Sequence, residues 1–186
     1  ETASAGRVIS TIPLGIAGRL CGLADMGLPK ASRLLSLFFS FEGRRGFDQM
    51  ILYNFSHEGA WKRLTMYSDI YGQAGGRDYF TAEVVADEAG DDPAAAGRRF
   101  AEHVRANGLF DGDLRLEGSH VLDEAYPVYS QGAWEKAEAG IRALRAFGIE
   151  SFGRQGGFDY QPTARVSTQV AEAALRESGV RGAREG

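Results

Sequence analysis

Arg33-Leu34-Leu35-Ser36-Leu37-Phe38-Phe39-Ser40-Phe41 sets the class of fold. Leu35, Leu37, Phe39 and Phe41 fall on one side of an extended chain, with Ser36, Phe38 and Ser40 on the other. That two-residue period belongs to a strand with one face in a core. Three more runs read the same way: residues 50–55, residues 62–70 with Leu64, Met66 and Ser68 sharing a face, and residues 79–85 after a Gly75-Gly76 turn. Sequential strands joined by polar turns predict a meandering antiparallel sheet.

Working outward, Arg7-Val8-Ile9-Ser10-Thr11-Ile12-Pro13 is a β-branched strand with almost no lead-in, expected to be buried. It reads as if the chain begins inside a larger fold. Leu14, Ala17, Leu20 and Cys21 follow at helical spacing. Asp91-Asp92-Pro93 starts another helix, with capping carboxylates and a proline where its missing N–H does no harm. Ala96, Phe100 and Val104 form its stripe, and Asn107-Gly108 closes it. Residues 119–128 are strand-like. Trp134, Ala137, Ile141, Leu144 and Phe147 mark the next helix, which stops at Gly148. Thr163 caps a last one carrying Val166, Val170 and Ala173, with Glu172 and Arg176 four apart as an ion pair. The expectation is an α+β fold, a mostly antiparallel sheet of about five or six strands packed with three or four helices. Residues 1–180 form the folded segment and residues 181–186 a frayed tail, with no internal repeat.

Composition excludes several classes. The chain has 186 residues, 44% of them hydrophobic and 25% charged, so it has enough apolar material for a core. Its longest strongly apolar run, residues 34–41, is too short to span a bilayer. A net charge of −4 opposes broad nucleic-acid binding, which needs a basic face. Only 3 of the 21 basic residues are lysines, a codon signature of a GC-rich bacterial genome. Cys21 is the single cysteine, and His57, His103 and His120 lack ligand spacing, so neither a disulfide nor a metal site is expected. A reducing cytoplasm is the default location.

Among 25 glycines there is no Gly-x-Gly, so a dinucleotide fingerprint is missing from this chain. The strongest local signal is Gly153-Arg154-Gln155-Gly156-Gly157-Phe158-Asp159-Tyr160. Its glycines would let a ligand approach the backbone, although a tight connection between two helices explains them on spacing alone. Asp123-Glu124 reads as a solvated strand end rather than a general base, and His57 beside Glu58 as a loop histidine rather than a relay. Arg98-Arg99 reads as a solvated helix face. Tyr126, Tyr129 and Tyr160 suit a pocket wall and core packing equally. No residue stands out as an obligatory acid or base.

Three segments together carry a resemblance. Val8-Ile9-Ser10-Thr11-Ile12-Pro13-Leu14, Ala125-Tyr126-Pro127-Val128-Tyr129 and the segment from Gly153 to Tyr160 resemble motifs of the FAD-dependent amine oxidase-like superfamily. They are most similar to its branch of UDP-galactopyranose mutases and protoporphyrinogen oxidase-like proteins, and they occur in family order. The resemblance implies the substrate-domain sheet and last flavin contact of a larger two-domain FAD-dependent protein, whose nucleotide-binding domain lies outside this chain. It implies hydride transfer between substrate and flavin, with FAD held mainly by the missing domain. Gly153, Arg154, Gly156 and Phe158, with Ser10, Thr11 and Pro13 from the first strand, are expected beside the cofactor. Gly156 would admit close backbone approach and Phe158 would pack by the ring, while Tyr126 and Tyr160 would face substrate. Asp159 stands where the mutases carry an arginine that meets phosphate, which points to an oxidoreductase of unassigned small-molecule substrate rather than a nucleotide-sugar mutase. Arg165 is the candidate to replace part of that charge. The competing reading is a non-catalytic α+β binding module using an aromatic sheet face. Apolar surface left open would suit a homodimer.

Overall fold

The alternating run extends into a 15-residue strand, β2 (Ala31–Arg45). The computed structural model describes residues 4–23, 27–56, 58–86 and 92–177, so His57, Asp91 and residues 181–186 lie outside the described residues. Two compact units form, Ser32–Ala125 and the combination of Glu1–Ala31 with Tyr126–Gly186.

In the first unit, β2 joins β3 (Ile51–Tyr53), β4 (Trp61–Met66), β5 (Asp78–Val85) and β6 (Phe110–Pro127) in the order β3-β4-β5-β2-β6. The simple meander is therefore corrected: β2 skips β3 and pairs antiparallel with β5, from Leu34 opposite Val85 to Phe41 opposite Asp78. The reason is length and face. A three-residue β3 could cover only a fraction of β2, whereas β5 sets buried Phe80, Ala82 and Val84 opposite buried Phe39, Leu37 and Leu35. On the other edge of β2, Gly46 N–H donates to the Leu109 carbonyl at 3.0 Å, while Arg33 reaches Asp123 at 2.8 Å. β6 thus runs antiparallel to β2.

Ring contacts continue through this core. Phe80 stacks on Phe39 at 5.3 Å and on Phe110 at 4.9 Å, and Phe41 meets Phe110 edge-on. Helix α3 (Pro93–Ala106) lays Ala96, Phe100 and Val104 on them, its first turn capped by Asp92, which accepts from Ala94 N–H at 2.9 Å. Trp61 is buried against Phe100, and its indole N–H donates to His103 Nδ1 at 3.1 Å.

Two strand expectations change. The run at 62–70 ends as strand at Met66, and Ser68–Tyr71 forms a helical turn, α2. Asp69 is drawn there into a two-oxygen contact with Arg45 at 2.9 Å, incompatible with a continuing strand. The strand read at 119–128 begins at Phe110, its early half disguised because Asp111, Asp113, Arg115 and Glu117 alternate with less exposed Leu114 and Leu116.

The second unit contains β1 (Val8–Ser10), α1 (Leu14–Leu20), α4 (Ala133–Ala146), β7 (Ile149–Ser151), α5 (Gly153–Gly156) and α6 (Ala164–Glu177). β1 and β7 pair in parallel, Val8 opposite Ile149 and Ser10 opposite Ser151. Leu14, Ala17, Ala133, Ala137, Leu144 and Phe158 make the core, and the Leu28 side chain sits against the missing side chains of Gly18 and Gly140. Three apolar residues leave their expected faces: Leu20, Trp134 and Phe147 are exposed. Leu20 lies about 120° round the helix from the buried Leu14, Ala17, Gly18 side. The expectation that the first strand is buried also fails, with Val8 at 45% and Ile9 at 42% exposure. A two-stranded sheet leaves one edge of β1 without a neighbour among the described residues. Thr163 does cap α6, accepting from Val166 N–H at 3.3 Å, and Glu172 meets Arg176 at 3.4 Å; Val166 and Val170 are half-buried, Ala173 exposed.

Gly43 and Gly112 face each other across β2 and β6 at φ of 144° and 147°. A Cβ on Gly43 would strike the Asp111 carbonyl, and one on Gly112 the Glu42 carbonyl. Gly43→Ala and Gly112→Ala should each cost about 2–4 kcal/mol in urea denaturation, against less than about 1 kcal/mol for Gly118→Ala, which has room. Equal midpoints for all three would refute this account. Asp113 titrates below its ordinary 3.8, chiefly because it accepts from Arg115, with Arg77 adding to the effect. A depressed carboxylate contributes stability above its unfolded value and loses it as pH falls through the folded one. The Asp113 carboxyl resonance should therefore titrate below the ordinary range by NMR and return towards it in Arg115→Gln.

Candidate functional site

The residues singled out at the two ends of the sequence meet in the second unit. β1 ends at Ser10, whose carbonyl accepts from Phe152 N–H at 3.2 Å, so the chain leaving β7 is tied to the end of β1. Gly153, at φ 84°, then turns the backbone into the short α5. A Cβ on Gly153 would meet nothing within 4 Å, so this position is open.

Gly156 is different. A Cβ there would lie 2.8 Å from the Ser10 carbonyl oxygen and 3.3 Å from Thr11 Cα. The close approach expected at Gly156 is therefore made by the protein's own strand, because β1 already fills the space. Ser151 Oγ, buried, donates to the Gly156 carbonyl at 2.8 Å and fixes the same contact. Phe158 likewise faces inward. It is buried at φ 52°, and Tyr129 stands edge-on to it at 5.6 Å. Pro13 precedes α1 as its cap residue, with its carbonyl accepting from Ala17 N–H at 3.0 Å.

Arg154 is the cation of the site. Its guanidinium carbon lies 5.2 Å from the ring centroid of Tyr126 and 5.2 Å from that of Tyr160. Two aromatic faces stabilise the charge and orient its planar fork. Among the described residues, Arg154 Nε and Ser10 Oγ are both buried without a hydrogen-bond partner, as is Gln161 Oε1. Buried polar atoms are normally paired, so these three mark the cost or the purpose of the place. Asp159 stays near the surface of the segment, its carboxylate accepting from Gln161 Nε2 at 3.3 Å.

Thus Ser10, Thr11, Gly153, Arg154, Gly156, Phe158, Tyr126 and Tyr160 fall within one unit, and backbone or ring contacts join β1, α5 and the three tyrosines. Tyr129 is the residue whose part the sequence left open. Its hydroxyl accepts from Tyr160 N–H at 2.7 Å and reaches the Phe158 carbonyl at 3.4 Å. Ser151 and Gln161 carried no signal at all, since an isolated serine or glutamine has no pattern. Asp123 is exposed and paired with Arg33, and Arg98 is exposed beside Asp92, as solvated charges. Among the described residues no cluster of three or more potential metal ligands forms, and no helix is long and apolar enough to cross a membrane.

No protein-family model matches the chain, and no curated protein matches it. Solved structures do. The chain is similar to a crystal structure of reduced UDP-galactopyranose mutase at TM-score 0.76 and 17% identity, covering 97% of this chain and 42% of that one. It is similar to a presumed protoporphyrinogen oxidase from Exiguobacterium sp. 255-15 at TM-score 0.57 and 12% identity, covering 92% and 42%. A Pyrococcus furiosus protein matches at TM-score 0.55 and 10% identity, covering 100% and 43%. The chain spans less than half the length of each, so its α+β fold is the fold of a part of these larger proteins. It is the fold that the three sequence segments implied.

Tyr129→Phe removes the hydroxyl that holds both Tyr160 and Phe158. It should lower unfolding stability by about 1–2 kcal/mol. Gly156→Ala, which forces β1 away from α5, should lower it by about 1–3 kcal/mol. Urea unfolding unchanged in both variants would show that the segment is not held in this way.

Proposed function

We propose that this chain is the substrate-domain sheet and flavin-contacting C-terminal part of an FAD-dependent oxidoreductase of the amine oxidase-like type. The observation that carries the reading is the junction of the β1 end with the Gly153–Tyr160 segment, two regions far apart in sequence that both resemble the family's motifs. The fold likeness to part of a UDP-galactopyranose mutase supports it.

The residues present fit a flavin. Gly153 has open space above its backbone, and Arg154 Nε and Ser10 Oγ are buried donors without partners. Donors of that kind suit the carbonyl oxygens of a flavin ring. In this reading Gly153, Arg154, Ser10 and Thr11 lie against FAD, while Gly156, Phe158 and Pro13 hold those residues in place. Tyr126 and Tyr160 clamp the Arg154 guanidinium and offer their remaining surface to substrate. FAD would supply the hydride acceptor, and this chain's residues would bind, orient and exclude water. Asp159 supports an oxidoreductase over a nucleotide-sugar mutase, since a carboxylate repels a diphosphate.

The test uses the protein expressed from its complete gene. A yellow protein that releases FAD on denaturation, with FAD bound at least about tenfold more weakly after Arg154→Ala, is the expected result. A colourless protein that takes up no FAD would overturn the reading. The chain alone should bind FAD weakly, since it carries the smaller share of the contacts.

A further inference from the structure

A second hollow belongs to the first unit, at the end of the β2–β6 ladder. It is an open groove of about 830 Å³ lined by Arg44, Arg45, Gly46, Arg105, Gly108, Phe110, Asp111 and Gly112. Three guanidinium groups and one carboxylate line it, in a protein whose net charge is −4.

How each cation is held decides what the groove can take. Arg45 is fixed: its Nη1 contacts both oxygens of Asp69 at 2.9 Å, and its guanidinium lies 5.4 Å from the Phe47 ring. Arg44 meets Asp111 at 3.1 Å, but both side chains are more than three-quarters exposed, at 84% and 76%. A pair so exposed contributes little and exchanges readily with another anion. Among the described residues the Arg105 side chain has a long contact, 3.4 Å, to the Gly112 carbonyl. The C-terminal carbonyls of α3 nearby are engaged, with His103 O accepting from Asn107 N–H and Val104 O from Leu109 N–H; this end of the helix is its negative pole, so the attraction for an anion must come from the arginine side chains.

Bare backbone leaves space at one point of the groove. Gly108, at φ 66°, has nothing within 4 Å of where a Cβ would stand, whereas Gly46 and Gly112 are glycines because the Gly108 and Glu42 carbonyls pack against them. Buried Phe110 lies among them. One oriented guanidinium, one exchangeable and one loosely tied, around a glycine-lined hollow, match a tetrahedral oxyanion with several acceptor oxygens better than a single carboxylate. We propose that this groove binds the phosphate group of a small molecule, with Arg44 and Arg105 as its principal ligands and Asp111 as the internal competitor it displaces. The proposal is independent of the flavin reading.

The probe is inorganic phosphate, titrated into the full chain at low ionic strength and followed by amide NMR shifts. Saturable shifts centred on Gly46, Gly108 and Gly112 are expected. Arg44→Gln and Arg105→Gln should each weaken binding by about fivefold or more, whereas Arg98→Gln, on the same helix but outside the groove, should leave it unchanged. Asp111→Asn should tighten binding severalfold, an effect that a purely structural aspartate would not give. The same spectra report whether each variant is folded, and Arg44, being almost fully exposed, is the substitution least able to disturb the fold. Non-saturating shifts, shifts scattered over the surface, or equal affinity in wild type, Arg44→Gln and Arg105→Gln would overturn the proposal.

Discussion

Pairing of β2 along both of its edges is the constraint on which the first unit depends. On one edge it matches β5 over eight consecutive residues, and on the other it follows β6. A strand held on both sides cannot slip by one residue without turning Leu35, Leu37, Phe39 and Phe41 out of the core together. Everything placed on that sheet inherits its register. The phenylalanine contacts, the seat of α3 and the three arginines at the ladder's end are positioned by it.

In the second unit the comparable constraint is smaller and sharper. The Ser10 carbonyl occupies the space where Gly156 would carry a side chain. Few atoms are involved, yet they bring together two ends of the chain and set where Arg154 emerges. Tyr126 and Tyr160 then hold its guanidinium from two sides. A cation fixed in this way has given up much of its side-chain entropy before any ligand arrives, which favours tight, directional contacts.

The sheet was legible because alternation survives wherever one face is wet and one is dry, as in residues 34–41. Its order was not legible, since strand order depends on which neighbours match in length and face. β7 was missed because Ile149-Glu150-Ser151 is too short to show a period, and its strand character comes from pairing with β1. The first half of β6 was hidden by charges on its exposed side. Trp134 and Phe147 were misplaced because a large apolar residue on a helix looks like core whichever way it points. At the candidate site, the motifs pointed to the segment from Gly153 to Tyr160, but the inward orientation of Phe158 and the filled space at Gly156 belong to tertiary packing. Tyr129 and Ser151 act through side-chain hydrogen bonds to backbone that leave no trace in spacing.

The two tryptophans fall one to each unit, and their surroundings are opposite. Trp61 is 7% exposed, edge-on to Phe100, with its indole proton on an imidazole, whereas Trp134 is 50% exposed at the start of α4. Their emission should differ in colour, blue-shifted from the dry ring and red-shifted from the wet one. The protein therefore carries a built-in pair of optical reporters, and replacing either tryptophan with phenylalanine leaves a lamp that watches one unit alone.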